Sequence, residues 1–251
     1  MPDPHQPLRT RLVEAALPHV AFDGWSPETW RAALRDADAT EAEARAAAPR
    51  GALDLAAQWH RQGDEAMRAR LRGAELHAMK IREKITFAVR ARIEAIEDRE
   101  AARRAAALHA LPHLAPEGAR LIWGTADAIW DAIGDRSTDS NWYTKRATLS
   151  GVYGATVLFW LGDDSPGRAA TWEFLDRRIE DVMSFERLKA RVRENPIART
   201  VLAGPLWAMS RIRAPMRPPS GFADMPGYFA GPPPEPTIHE AGPALPPAPP
   251  R

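Results

Sequence analysis

Apolar residues fall at helical spacing along most of the chain, and this periodicity restricts the fold more than any other property. Ile81, Ile85, Val89, Ile93 and Ile96 lie within about a third of a turn of one another on a 3.6-residue wheel. Ile122, Trp123, Ala126, Ile129, Trp130 and Ile133 form a second stripe, with Asp127 and Asp131 turned away. Trp142, Leu149, Val152, Tyr153, Thr156 and Trp160 form a third. The alternation that marks strands is missing, and prolines before residue 196 sit at plausible helix boundaries. The spacing predicts an all-α chain with helices over 8–22, 27–36, 40–47, 52–72, 76–98, 100–110, 116–133, 140–161 and 166–194. Gly162 can close one helix, Ser165 can cap the next, and Pro166 suits a first turn.

Composition removes several function classes. The 251 residues contain no cysteine, which excludes disulfide scaffolds, zinc ribbons and thiol chemistry. With 34 basic and 33 acidic residues, no global field draws the chain to nucleic acid. No apolar run of about 18 residues is present, and the first residues resemble neither a secretory signal nor a transit segment. Only four of the basic residues are lysine. That Arg- and Ala-heavy usage leads to the expectation of a bacterial cytoplasmic protein, peripheral on the inner face of the cytoplasmic membrane.

Charge and proline are unevenly placed. Residues 218–251 hold 12 of the 24 prolines and are expected to form a disordered tail. Residues 183–217 carry eight basic residues against Glu186 and Glu194. Within them, 196–217 reads as a basic apolar membrane-surface helix, with Leu202, Leu206, Trp207 and Ile212 as apolar payload and Arg211 and Arg213 toward anionic lipid. Gly204-Pro205 interrupts that pattern, and a helix docked on the protein body is the competing reading.

Residues 1–75 have the size and order of a helix-turn-helix module. Its second-position helix offers Asp38, Glu41 and Glu43 against a single Arg45, and such a face repels a phosphate backbone. The module is therefore read as degenerate, without specific DNA binding. No catalytic chemistry emerges. Asp135 to Asn141 superficially alternates calcium ligands, but Ser140 occupies the turn-glycine position and Arg146 the bidentate-Glu position. His109 and His113 flank Pro112 and lack a third ligand, so no metal site is assigned. Phosphate loops and nucleophile elbows are absent too, so no catalytic residue and no cofactor is assigned. Of the nine tryptophans, five lie in the later helices, where they either fill a core or flank an elongated cavity. Periodicity does not separate these two.

The run Gly134-Asp-Arg-Ser-Thr-Asp-Ser-Asn-Trp-Tyr-Thr-Lys-Arg146, with Asp164-Ser-Pro166 and Thr171 to Arg178, closely resembles the ubiquinone-biosynthesis accessory family. The resemblance is strong over about 112–183, looser over 8–98, and does not cover the tail. It implies a fold like that of TetR repressors, with residues 76–195 as a lipid-binding and dimerisation domain. It also implies a homodimer, and an isoprenoid quinone intermediate or phospholipid as ligand. The implied partner is the demethoxyubiquinone hydroxylase or another enzyme of that pathway. The family's partner-contacting patch maps onto Asp127, Ile129, Trp130, Trp142 and Tyr143, although Ile129, Trp130 and Trp142 also lie on apolar stripes. Trp123, Tyr153, Trp160 and Trp172 are the expected lipid contacts. The implied function is non-catalytic: the protein would present a polyprenylated ring intermediate to a membrane-associated hydroxylase. The competing reading is a TetR-like, ligand-responsive transcriptional regulator.

Overall fold

Helix starts are set by local capping. Ser26 Oγ accepts from Thr29 N at 3.2 Å ahead of α2 (Pro27–Asp36). Thr40 and Glu43 form a reciprocal box ahead of α3 (Glu41–Ala47). Asp98 accepts from Ala101 N at 2.8 Å ahead of α6 (Arg99–His109). The remaining helices are α1 (Gln6–Asp23), α4 (Ala52–Arg72), α5 (Ile81–Glu94), α7 (Ala115–Ala132), α8 (Ser140–Gly162) and α9 (Ala169–Glu194). The computed structural model describes residues 5–138 and 140–194, and no strand occurs among them. The expected surface helix, with Leu202, Leu206, Trp207, Arg211, Ile212 and Arg213, and the expected proline-rich tail lie outside the described residues. No described helix is long and apolar enough to cross a membrane.

Two expected helices are broken where the chain supplies a cap. Residues 76–98 divide into a 3-10 turn, Leu76–Ala78, and α5, because Met79 and Lys80 are extended. The Glu83 carboxylate accepts from Lys80 N at 2.8 Å and starts the helix afresh. At 166–194 the first turn is 3-10, and Asp163 organises it. One carboxylate oxygen accepts from Ser165 N at 2.8 Å; the other takes Thr171 Oγ1 at 2.6 Å and Thr171 N at 2.9 Å. These bonds, the one from Thr171 foremost, hold the Asp163 carboxyl well below the usual carboxylate range. Ser165 stands at the N-cap position without a capping bond to the first turn, and its hydroxyl instead accepts from Ala170 N at 3.1 Å.

Two apolar clusters hold the helices together. The first unites α1 to α4 around Leu12, Val20, Trp30 and Leu55, and includes Ala101 of α6. The second unites α4, α5, α7, α8 and α9 around Met67, Val89, Ile93, Ile129, Tyr153 and Leu175. Trp59 packs against both, so α4 is the shared element of the N-terminal module and the helices after residue 75. All six members of the stripe from Trp142 to Trp160 are buried. Arg50 joins the starts of α4 and α7, contacting Asp54 and forking onto both oxygens of Glu117 at 2.7 Å.

Candidate functional site

Two sites emerge, a cavity between helices that opens to solvent and a surface over a buried charge cluster. The cavity, of about 1060 Å³, lies among α1, α4, the end of α5, α6, α7 and α8. Small residues make the room: Ala56, Gly63, Ala102, Ala106, Gly118 and Gly154 stand on its walls, where larger side chains would fill the gaps. Val13, Leu17, Trp59, Ile96, Ile122 and Val157 make its walls largely apolar.

One end of the cavity is polar. The Arg92 side chain, 3% exposed, donates from Nε to Asp64 Oδ1 at 2.6 Å and from Nη2 to the His60 carbonyl at 2.8 Å. Thr125 Oγ1 donates to the same Asp64 oxygen at 2.8 Å and lies 2.9 Å from His60 Nε2. With the hydroxyl proton directed at the carboxylate, His60 Nε2 is the donor to Thr125. Burial, reinforced by the Arg92 charge, pushes His60 down to about 4, so the ring is neutral near pH 7. Burial likewise pushes the Tyr153 phenol up. Gly63 leaves room for the guanidinium: a Cβ on it would stand 2.6 Å from the Arg92 guanidinium carbon, so the Arg92 head would have to shift.

Of the four aromatic residues expected to contact lipid, only Tyr153 is on the cavity wall. Trp123 packs on Trp142 with ring centroids 6.1 Å apart. Trp160 lies under Arg99, and Trp172 under Arg90 at 4.7 Å. Trp59, His60 and Arg92 line it instead, and none was marked by periodicity. The available signal was a histidine and an arginine falling on otherwise apolar helix faces.

The second site is built on Arg146, whose side chain has no accessible surface. Its Nε contacts Asp127, and its Nη1 reaches Asp135 Oδ2 and the Trp142 carbonyl, each at 3.2 Å. Trp142 covers the guanidinium at 4.0 Å and meets Tyr143 edge to face at 4.8 Å. Lys145 donates to Asp135 at 2.8 Å and lies over Trp130, whose Nε1 donates to the Lys145 carbonyl. Burial pushes the Asp135 carboxyl up, but hydrogen bonds from Lys145, Ser137 and Arg146 prevail and hold it at about 2. Four of the five expected patch residues, Asp127, Trp130, Trp142 and Tyr143, therefore gather around one ion cluster. Ile129 does not join them: it is fully buried, because its helix position faces the core with Ala126. Tyr143, 39% exposed, is the most accessible aromatic of the group.

Comparison with known proteins bears on both sites. Residues 115–186 match the COQ9 family model. Ubiquinone biosynthesis protein COQ9, mitochondrial, of Xenopus tropicalis is 31% identical over 188 residues, covering 71% of this chain and 58% of that protein. The protein of the same name from Bos taurus is 41% identical over 90 residues, 36% of this chain and 28% of that protein. This chain thus spans less than two thirds of these relatives' length. Among solved structures, a TetR transcriptional regulator from Nitrosomonas europaea superimposes with a TM-score of 0.58 at 19% identity, covering 69% of this chain and 97% of that one. The fold is therefore TetR-regulator-like. With the family model matched from α7 into α9 and relatives aligned over most of the helical body, the chain is similar to COQ9 proteins.

Proposed function

We propose that this chain is a non-catalytic lipid-binding accessory protein of ubiquinone biosynthesis, presenting a polyprenylated ring intermediate to a membrane-associated hydroxylase. The observation that carries the reading is the cavity of about 1060 Å³ with largely apolar walls, in a chain whose named relatives are ubiquinone biosynthesis proteins. A long prenyl chain is insoluble, and sheltering it is favourable by about 0.8 kcal/mol per buried methylene. Phospholipid is the other ligand of suitable chemistry. The surface around Trp142 and Tyr143 would dock the demethoxyubiquinone hydroxylase or another enzyme of the pathway. The test is mass spectrometry of lipid extracted from the purified chain. A prenylated ring compound is expected in stoichiometric amount, and its absence together with an empty cavity would refute the reading.

The regulator alternative rests on fold likeness alone. On α3 the single arginine, Arg45, is paired with Glu41 at 2.7 Å and lies over Trp30, so it is not free for phosphate. A mobility-shift assay at low salt would detect specific DNA binding if this account were correct.

The reading also includes a homodimer formed through α8 and α9. Phe159 stacks on Phe174 at 4.6 Å across these helices, and Phe159 and Leu158 are 38% and 66% exposed. Covering such a face is the usual reason for pairing. Light scattering at tens of micromolar protein should report a dimer, and Phe159→Glu should shift it toward monomer. The chain would work on the inner face of the cytoplasmic membrane, with residues 196–217 as its surface contact.

A further inference from the structure

The outer face of α7 links the Trp142–Tyr143 surface to a charged concavity at the end of α4. Arg120, Gly124, Asp127 and Asp131 fall within about a sixth of a turn of one another on a helical wheel. Arg120, Gly124 and Asp131 are exposed. On the α8 side of this strip, Asp127 bonds Arg146, which Trp142 covers. On the α4 side, Asp131 lines a concavity of about 420 Å³ together with Arg68, Leu71, Arg72 and His77. Buried Leu71 is its floor.

This concavity carries positive charge that the chain leaves unmatched. Arg68 and Arg72 stand four apart on one face of α4, where like charges repel. Neither forms an ion pair among the described residues, Glu65 one turn earlier included, whereas Arg70 between them reaches Glu94 at 2.5 Å. His77 has Glu75 at 3.3 Å as its own counter-charge, and Asp131 offsets only one of the two arginines.

Gly124 is a second, independent observation. It lies inside α7, where glycine is less favourable than alanine, and a Cβ on it would meet nothing within 4 Å. The strip is bare backbone at that point, so a neighbouring helix can come closer there than any side chain would permit.

We infer that the docking surface continues from Tyr143 along α7 to Arg68 and Arg72, and that the partner lays an acidic helix over Gly124 with a carboxylate at the two arginines. This rests on the docking reading and adds the partner's chemistry to it. The guanidinium fork matches a carboxylate in shape as well as in charge.

The test is a binding titration of the full-length chain with the purified hydroxylase at low and at moderate salt. Wild-type affinity should fall as salt rises. Arg68→Gln with Arg72→Gln should weaken binding about tenfold at low salt and flatten the salt dependence. If that double variant fails to fold, Arg72→Gln alone, at the exposed position, should show part of the same loss. Gly124→Gln should melt no lower than the wild type, since its side chain meets only solvent, yet bind about tenfold more weakly through the clash it introduces. Wild-type affinity and salt dependence in the folded arginine variants would overturn the inference. Loss of binding by Tyr143→Asp in the same assay would then leave the docking reading standing without it. A hydroxylase that does not bind the wild-type chain removes both. Arginine variants that bind the hydroxylase normally but no longer sediment with anionic vesicles would assign the concavity to a lipid surface, which also overturns the inference.

Discussion

Arg146→Met is expected to lower the unfolding free energy by about 2–3 kcal/mol, because it removes one of the two cations on the buried Asp135 and a charged hydrogen bond to Asp127. The Arg146 side chain is inaccessible and touches Asp127, Asp135 and the Trp142 carbonyl at once. Methionine fills similar volume, so the loss is electrostatic rather than a cavity effect. Lys145→Met on the same Asp135 is the contrast: Lys145 is 37% exposed and should cost no more than about 1 kcal/mol. The sign of the pH effect follows from Asp135. Its folded carboxyl is held at about 2, below the unfolded value of about 3.9. Its contribution is complete above pH 4 and lost as pH falls toward 2. Urea unfolding of the wild type and both variants at pH 7 measures the first effect, and an acid series measures the second. Equal stability of Arg146→Met and wild type would refute the account.

The second large effect separates docking from folding at neighbouring residues. Trp142 is 7% exposed and sits between Trp123, Tyr143 and Arg146. Trp142→Ala should cost about 3–5 kcal/mol of stability, as for a large core residue. Tyr143 is 39% exposed, and Tyr143→Asp should melt near the wild-type temperature. If the proposed hydroxylase docks here, that variant loses about 2 kcal/mol or more of association, roughly thirtyfold in affinity. Circular dichroism melting with a binding titration distinguishes the two. Normal hydroxylase binding by a folded Tyr143→Asp chain would remove this surface from the interface.

The helices were legible because their stripes were long. The pattern from Trp142 to Trp160 predicted burial correctly at all six positions. The break at Met79–Lys80 was hidden because no glycine or proline marks it, and because the residue ahead of α5 is a lysine rather than a recognisable cap. Glu83 does the capping from inside the helix. The sequence resemblance singled out Asp127, Trp130, Trp142 and Tyr143, which the structure brings around one ion cluster, while Ile129 followed its apolar stripe inward. The cavity was not legible, since attention to bulky tryptophans looked for a gap beside large rings. The opening comes from short side chains meeting across helices, and sequence spacing does not report which alanines face one another. His60 and Asp64, four residues apart on α4, bracket Gly63 and mark the polar end, but their partners Arg92 and Thr125 come from α5 and α7.

The alanine and glycine walls have a mechanical consequence. A pocket bounded by long side chains can remodel when those chains change rotamer, but a methyl group or a hydrogen has no rotamer to change. Along the stretches lined by alanine and glycine, the bore is set by the spacing of the helix axes, with the α4 and α7 starts held together by Arg50 and the α8 end held by Arg99 and Arg103 on the Leu161 carbonyl. Helices in a close-packed body shift as rigid units. The chain should therefore be tolerant of a guest's length and strict about its girth, admitting slender chains of many sizes and refusing a thicker one until a whole helix moves.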